Sequence, residues 1–494
     1  MSMVRVGAVL FGLWFTYGST SCSGGGGGGS NRSATPTLPA PTKTATVRPT
    51  PAAALSLSGV FPLIGSGDGG TPVVIEGAGF ADGGPVEVFF GEAPATNVIV
   101  IDDRKLSALI PPGERGSAVS VEASSAKGTD RLDGAFRYGG GGASSTLAIE
   151  LTGEPSVAFD QSIGTTTVVL DYLVRDSEGD LLDESDLDVR MFVNDQELGA
   201  GGPFGESVLD SDAQQLDLSV FIELVLDASF SLEQFDPPQF DSMLKAAENL
   251  VSEGTDIWRD RGGSFDWSVV WFDELLSQPD PDHLRSFRIG NIPQPAPGNF
   301  TKLYSAVSNA LEVSASRFAE GVAAGERDRH VLVVFTDGLD NLSSFDNPDV
   351  RLEGQLRNGD PYPRIGWRAT GLDDVLAEIG SHPRYPTNLT VHTIALGRNC
   401  AGGGQGEPCF DEQALRDVAQ VGFGQLLVSP RDVDDLFDQI RREFTELQSS
   451  GAVMALPPGD YEFRLLAESR NGRASGEVRF RFRVGTDGAE LISF

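Results

Sequence analysis

The chain has 494 residues, and 40% of them are hydrophobic, which is enough for several packed cores and excludes a wholly disordered protein. It carries 71 acidic and 37 basic side chains, a formal net charge of −34 at pH 7. A field of that sign repels phosphate, so the composition excludes non-specific binding to nucleic acid or to anionic lipid.

Residues 1–22 have the pattern of an export signal. A basic start precedes an apolar run from Val6 to Tyr17, which is too short to span a bilayer as a helix. Small residues then lead to Cys22, and the segment resembles a bacterial lipoprotein signal, although Ser19 stands where that family prefers Leu. The resemblance implies a lipidated Cys22, so that a lipid anchor alone attaches the protein to the bacterial cell envelope on its extracytoplasmic side. Simple secretion is the alternative.

Residues 23–54 are rich in Gly, Pro and Thr, which predicts a flexible tether. Residues 55–139 are short apolar runs separated by Gly and Pro, a pattern that predicts a β-sandwich. The motifs Phe61-Pro62, Glu76-Gly-Ala-Gly-Phe80, Ile110-Pro-Pro-Gly113 and Ala135-Phe-Arg-Tyr138 resemble the IPT/TIG family, an immunoglobulin-like module. The resemblance implies a surface spacer or a binding module without catalysis.

A second β-sandwich is predicted in two pieces. Residues 146–215 contain three alternating apolar runs, and residues 449–494 contain two more. The stretch Leu456-Pro-Pro-Gly-Asp-Tyr461 resembles a tyrosine corner of immunoglobulin-type sandwiches. Neither piece has enough strands to be stable alone, so we expect one sandwich that is interrupted by residues 216–448.

Within residues 216–448, apolar β-runs alternate with helical patterns, which predicts a doubly wound, Rossmann-like α/β domain with a parallel sheet and helices on both faces. The predicted strands are Leu218–Leu226, Trp267–Phe272, Val331–Phe335 and Leu389–Leu396. The predicted helices are Phe240–Val251, Lys302–Phe318, Leu372–Ile379, Glu412–Val421 and Val433–Leu447.

Five oxygen-bearing side chains fall at the ends of these elements. Asp227, Ser229 and Ser231 follow the first strand, Asp337 follows the strand ending at Phe335, and Thr301 opens a helix. The carboxyl ends of parallel strands share one edge of a sheet, so we expect these side chains to converge there. Two carboxylates and three hydroxyls are the donors that a hard dication prefers, which predicts Mg²⁺ or Mn²⁺.

The order of Asp-x-Ser-x-Ser, Thr and Thr-Asp-Gly resembles the von Willebrand factor type A family and its metal-ion-dependent adhesion site, over roughly residues 216–448. The resemblance implies that the two serines ligate the ion directly and that Thr301 and the aspartates complete the shell. It also implies a partner protein, extracellular or in the envelope, that presents an Asp or Glu oxygen to the ion. Phe230 departs from the family, in which Gly is usual.

Apart from these oxygen donors, the two cysteines of the α/β region are the next candidates for a specific role. In an oxidising compartment, Cys400 and Cys409 would form a local disulfide, and two free thiols are the alternative.

No base or nucleophile accompanies the five oxygen donors in the sequence, so we expect no enzymatic activity. The sequence therefore predicts a surface-tethered adhesion or protein-binding lipoprotein. The alternative is an architectural envelope protein whose A-type domain scaffolds a complex without metal-gated binding.

Overall fold

The computed structural model describes the chain from residue 54 onward, with gaps. The described residues are 54–81, 83–114, 116–139, 147–152, 155–176, 181–199, 204, 207–209, 218–229, 231–232, 239–261, 263–272, 276–277, 302–319, 327–339, 370–400, 409–429, 433–470, 472, 474–486 and 488–492. The predicted signal, its Cys22 and nearly all of the tether lie outside them.

The first domain is a sandwich of two sheets, with strand orders β1-β3-β7-β6 and β2-β9-β8-β4-β5. The strands are β1 (Ser56–Phe61), β2 (Ile64–Ser66), β3 (Pro72–Ala78), β4 (Glu87–Phe90), β5 (Ala93–Pro94), β6 (Thr96–Val100), β7 (Lys105–Leu109), β8 (Ala118–Ser125) and β9 (Gly128–Gly139). Apolar side chains from both sheets form one core, in which Phe90, Phe136 and Tyr138 make edge-on ring contacts. Burial of these large rings contributes to the stability of the sandwich.

A second β-region follows in the sequence. Its strands are β10 (Ala148–Leu151), β11 (Ser156–Asp160), β12 (Thr165–Arg175), β13 (Leu187–Val193), β14 (Gln196–Glu197) and β15 (Ser207–Leu209), with a short 3₁₀ turn at Glu184–Asp186. The last four strands of the chain are β24 (Gln448–Met454), β25 (Gly459–Ser469), β26 (Ser475–Val484) and β27 (Ala489–Leu491). Tyr461 Oη donates a hydrogen bond of 2.7 Å to Pro457 O, the contact that defines a tyrosine corner.

Strands from both regions lie in the same two sheets. The strand order of one sheet is β10-β12-β24-β15, with β11 also paired to β12, and that of the other is β14-β13-β25-β26-β27. In the first, Val169 lies opposite Gly451, and in the second, Met191 lies opposite Leu465. A single hydrophobic core joins the two sheets, so residues before and after the α/β segment bury each other's apolar surface.

The α/β segment, residues 218–447, contains a six-stranded sheet of order β18-β17-β16-β19-β20-β23, parallel except for the pair β17–β18. Its strands are β16 (Leu218–Asp227), β17 (Ser264–Phe272), β18 (Leu276–Ser277), β19 (Arg327–Thr336), β20 (Leu389–Leu396) and β23 (Phe423–Ser429), and a separate two-stranded pair is formed by β21 (Arg398–Asn399) and β22 (Cys409–Phe410). Its helices are α1 (Phe240–Asp260), α2 (Leu303–Ala319), α3 (Leu372–Ser381), α4 (Glu412–Val421) and α5 (Asp434–Thr445).

Consecutive residues of the central strands contribute to different cores. On β16, Leu224 packs with α1 and α5, whereas Val225 packs with α2, α3 and α4. This is why the strand sequences are continuous apolar runs rather than alternating ones. The chain as a whole is β-rich and multidomain. Among the described residues, no helix is both long enough and apolar enough to cross a membrane.

Candidate metal centre

Four of the five predicted metal ligands meet at one edge of the sheet in the α/β segment. Asp227 is the last residue of β16, and Asp337 comes directly after β19. The two strands are parallel neighbours in which Leu226 lies opposite Phe335. The register therefore brings the two aspartates to adjacent strand ends, although they are far apart in the sequence.

Ser229 and Ser231 connect the two carboxylates. The Ser229 amide donates a hydrogen bond of 2.8 Å to Asp227 Oδ1, which sets the turn that leaves the strand. The hydroxyls of Ser229 and Ser231 are 2.7 Å apart. Ser231 Oγ donates to Asp337 Oδ1 at 2.7 Å, and Ser229 Oγ lies 3.3 Å from the same atom. Four of the five predicted ligands are thus in mutual contact.

Thr336 completes this arrangement, and it was not among the predicted residues. Its hydroxyl donates a hydrogen bond of 2.6 Å to Asp227 Oδ2 and accepts one of 3.1 Å from the amide of Gly338. Thr336 is fully buried. It fixes the orientation of Asp227 and the turn after Asp337, so it acts as a positioning residue. The sequence signal was its place directly before Asp337 in the Thr-Asp-Gly motif.

Both carboxyl groups are at 0% exposure, and their environment disfavours their charge. Burial raises the pKa of Asp337 to about 8, with the neighbouring Asp227 as the second cause. Burial also raises the pKa of Asp227, although hydrogen bonds from Thr336 and Ser229 oppose the shift. Asp337 Oδ2 is buried and has no hydrogen-bond partner among the described residues. A buried acceptor of this kind, next to a second carboxylate, is suited to a cation.

The donor set fits a hard divalent cation, since all its members are carboxylate or hydroxyl oxygens. Groups of three or more His, Cys, Asp or Glu side chains placed to hold a metal are absent from the part of the chain that the structure describes, so the hydroxyls would have to take part. The predicted ligand Thr301 lies outside the described residues, and so do Phe230 and most of residues 278–369.

The cysteines of the α/β segment lie beyond the same sheet edge as the cluster. A disulfide joins Cys400 and Cys409, whose Cα atoms are 5.0 Å apart. Both residues follow β20, the neighbour of β19, and Cys409 opens β22. The side chain of Asn399 donates a hydrogen bond of 2.8 Å to Glu412, which connects this region to the start of α4.

Solved structures resemble parts of the chain at low identity. Proximal thread matrix protein 1 from the mussel byssus, solved with a zinc-occupied MIDAS motif, is 15% identical with a TM-score of 0.29, and the match covers 50% of this chain and 49% of that one. The ArnB paralog VWA2 from Sulfolobus acidocaldarius is 12% identical with a TM-score of 0.27, over 69% of this chain and 75% of that one. The chain thus spans about half the length of the mussel protein, and TM-scores this low carry no functional argument.

Comparison with protein-family models identifies the first sandwich. None of the curated proteins matches the chain significantly. The family model described as the IPT/TIG domain matches residues 55–138, where the motifs from Phe61 to Tyr138 predicted it. That prediction is confirmed: residues 55–138 of this chain are an IPT/TIG domain.

Proposed function

We propose that the α/β segment is a von Willebrand factor type A domain, inserted in the second sandwich, that binds Mg²⁺ or Mn²⁺. The observation that carries the proposal is the buried contact of Asp227 and Asp337 with Ser229 and Ser231 at the sheet edge. Thr301, which opens the next helix in the family pattern, would be the fifth ligand.

The charges of the cluster support a cation. Two carboxylates taken out of water next to each other are costly unless a positive charge offsets them. Ion pairs to Asp227 or Asp337 are absent among the described residues, and Asp337 Oδ2 lacks a donor. When bound, a dication would supply the positive charge and an open position for an oxygen atom. The carboxylates of Asp227 and Asp337 and the hydroxyls of Ser229 and Ser231 would hold it.

The role of such a site would be to bind a partner protein. A carboxylate from an Asp or Glu of the partner could approach despite the net charge of −34, since the ion is the largest local charge. We therefore propose an adhesion or protein-binding protein, in preference to a scaffold that does not use the metal.

Titration calorimetry of the purified chain with MgCl₂ or MnCl₂ tests whether the cluster binds a metal ion. We expect one binding site that is lost in Asp227→Ala and weakened in Ser231→Ala. Asp241→Ala, which removes an exposed carboxylate on α1, is the matched control and should bind like the wild type. Circular dichroism shows that each variant is folded. Equal heats from the wild type and a folded Asp227→Ala would refute the site. If the metal binds and partner capture is insensitive to chelator, the scaffold is favoured instead.

Localisation is a separate part of the proposal. We propose that Cys22 carries lipid after removal of residues 1–21. The lipid would anchor the protein in the cell envelope, outside the cytoplasm. Lipidation supplies a membrane anchor only if the thiol is present, so Cys22→Ser should move the protein out of the membrane fraction or leave the signal uncleaved. The measurement is fractionation with mass spectrometry of the N-terminus. A wild-type protein found entirely in the medium would support secretion.

A further inference from the structure

In the sheet β1-β3-β7-β6 of the IPT/TIG domain, the central strands β3 and β7 contain residues that are buried on both faces. On β3, Val73 and Ile75 belong to the domain's own core. Val74, which points the opposite way, is also at 0% exposure and packs in the core shared by α2, α3 and α4. Ser107 lies opposite Val74 in the sheet and is equally buried. An outer face that was free in solution would carry polar, exposed side chains at these positions.

Apolar packing across this face is close. Ile101 and Ile99 belong to the same cluster as Ile379 of α3 and Val421 of α4. A Cβ added to Gly380 would lie 2.5 Å from Ile101 Cγ2, so the helix end leaves room for the isoleucine only because it has no side chain there. The packing between the two domains is therefore so close at this contact that one added methyl group would not fit.

Polar contacts at the same face are specific. Gln420 of α4 is 4% exposed, and its Nε2 donates hydrogen bonds to Asn97 O at 2.9 Å and Ser107 Oγ at 3.1 Å. Its Oε1 accepts one of 2.6 Å from Asn97 Nδ2, which also lies 3.1 Å from Asp417 Oδ1. Asn97 has a φ of +46°, a left-handed conformation that asparagine tolerates better than most residues. The side-chain amide of Gln420 thus bridges β6 and β7 from the other domain.

Lys105 adds a second polar anchor. Its Nζ donates a hydrogen bond of 2.7 Å to Gly380 O in the last turn of α3, where the helix dipole favours a cation. The ammonium also lies 5.1 Å from the ring centre of Tyr385.

We propose that this face of the IPT/TIG domain, formed by Val74, Asn97, Ile99, Ile101, Lys105 and Ser107, is the docking surface for helices α3 and α4 of the same chain. The two domains then form one rigid body. This face of the sheet is covered, so the IPT/TIG domain orients the α/β segment instead of acting as a free spacer. This inference does not depend on the metal.

Hydrogen exchange of the purified chain tests the docking, with Gln420→Ala as the main variant. Removal of the buried amide takes away the donor to Asn97 O and Ser107 Oγ, so we expect about tenfold faster exchange, or more, in peptides of β6 and β7 as well as in α4. Gln439→Ala on the exposed side of α5 is the matched control and should leave β6 and β7 unchanged.

Lys105→Met tests the same contact from the other domain. It should speed exchange in the last turn of α3, while the IPT/TIG core around Phe136 stays protected. Faster exchange confined to the segment that carries each substitution would overturn the proposal, since loosely linked domains do not transmit the change. Exchange that rises on both sides of the face in both variants, with the Gln439→Ala pattern unaltered, supports one rigid body.

Discussion

The residues of the candidate site show what a motif predicts and what it leaves out. Asp227, Ser229, Ser231 and Asp337 were predicted to converge, because strand order and the shared carboxyl edge do not depend on side-chain detail. Thr336 was missed as a positioning residue. Its role depends on a hydrogen bond to Asp227 across two strands, and sequence spacing alone does not specify which hydroxyl faces a carboxylate.

His392 gives a prediction for pH dependence. It lies on β20, is 3% exposed, and its Nδ1 accepts a hydrogen bond from the Gln425 amide. The neutral ring therefore carries its proton on Nε2, which faces Glu443 Oε2 at 3.4 Å. Burial lowers the pKa of His392 to about 4, from 6.5 for an exposed ring.

The unfolded chain therefore binds a proton to His392 more tightly than the folded chain does. The contribution of His392 to the free energy of unfolding is full above about pH 6.5 and is lost as the pH falls toward about 4. Between pH 7 and pH 5 the loss is about 2 kcal/mol. Urea unfolding at the two pH values measures it. In His392→Asn, the loss on acidification should be smaller than in the wild type by about that amount. An identical loss in both proteins would contradict the assignment.

Elements were predicted best where the sequence pattern is long. The helix predicted at Glu412–Val421 and the strand predicted at Leu389–Leu396 have those bounds in the structure. Helix α1 is the main difference, since it continues to Asp260 beyond the predicted end at Val251. Gly254 is the local signal for an earlier end. The glycine packs against the ring of Phe265, where a Cβ would lie 2.5 Å away, so tertiary packing carries the helix past it.

Short or atypical strands were missed. β11, β15 and β18 are edge strands of two to five residues, too short for a periodic pattern to be recognised. β23 was missed because Gly424 interrupts the apolar run of that strand. The backbone of Gly424 lies so close to Val391 that only glycine fits there. The strand predicted at Val331–Phe335 begins earlier in the structure, since β19 starts at Arg327 with polar residues. Charged residues at that start conceal the strand boundary.

At the scale of the whole molecule, the docking of the IPT/TIG domain could not be predicted. Its contacts join residues more than 300 positions apart, such as Asn97 and Gln420. One signal was available, because Val73-Val-Ile75 is continuous rather than alternating, and such a run indicates burial on both faces. The sequence could indicate that the face was covered, and only the tertiary structure identifies the helices that cover it.

The second sandwich supplies the last prediction, because its core is divided between distant parts of the chain. Val168 and Val193 from the earlier strands pack in one cluster with Phe463 and Phe480 from the later ones. Truncation after Leu447 would remove β24 to β27 and leave half of this core exposed to water. At about 1.5–3 kcal/mol for each large apolar side chain, the loss exceeds the stability of a typical domain.

We therefore expect residues 147–209 to unfold in the truncated chain, while the IPT/TIG domain keeps its fold. Limited proteolysis with mass spectrometry measures this, and cleavage should concentrate in β12 and β13. Truncation after Val484 is the matched control, since it removes only β27, a short strand paired at the edge with β26. That variant should resist protease much as the full chain does. If truncation after Leu447 left β12 and β13 as protected as in the full chain, the earlier strands would form a stable core without the later ones, and the shared sheets would be dispensable for folding.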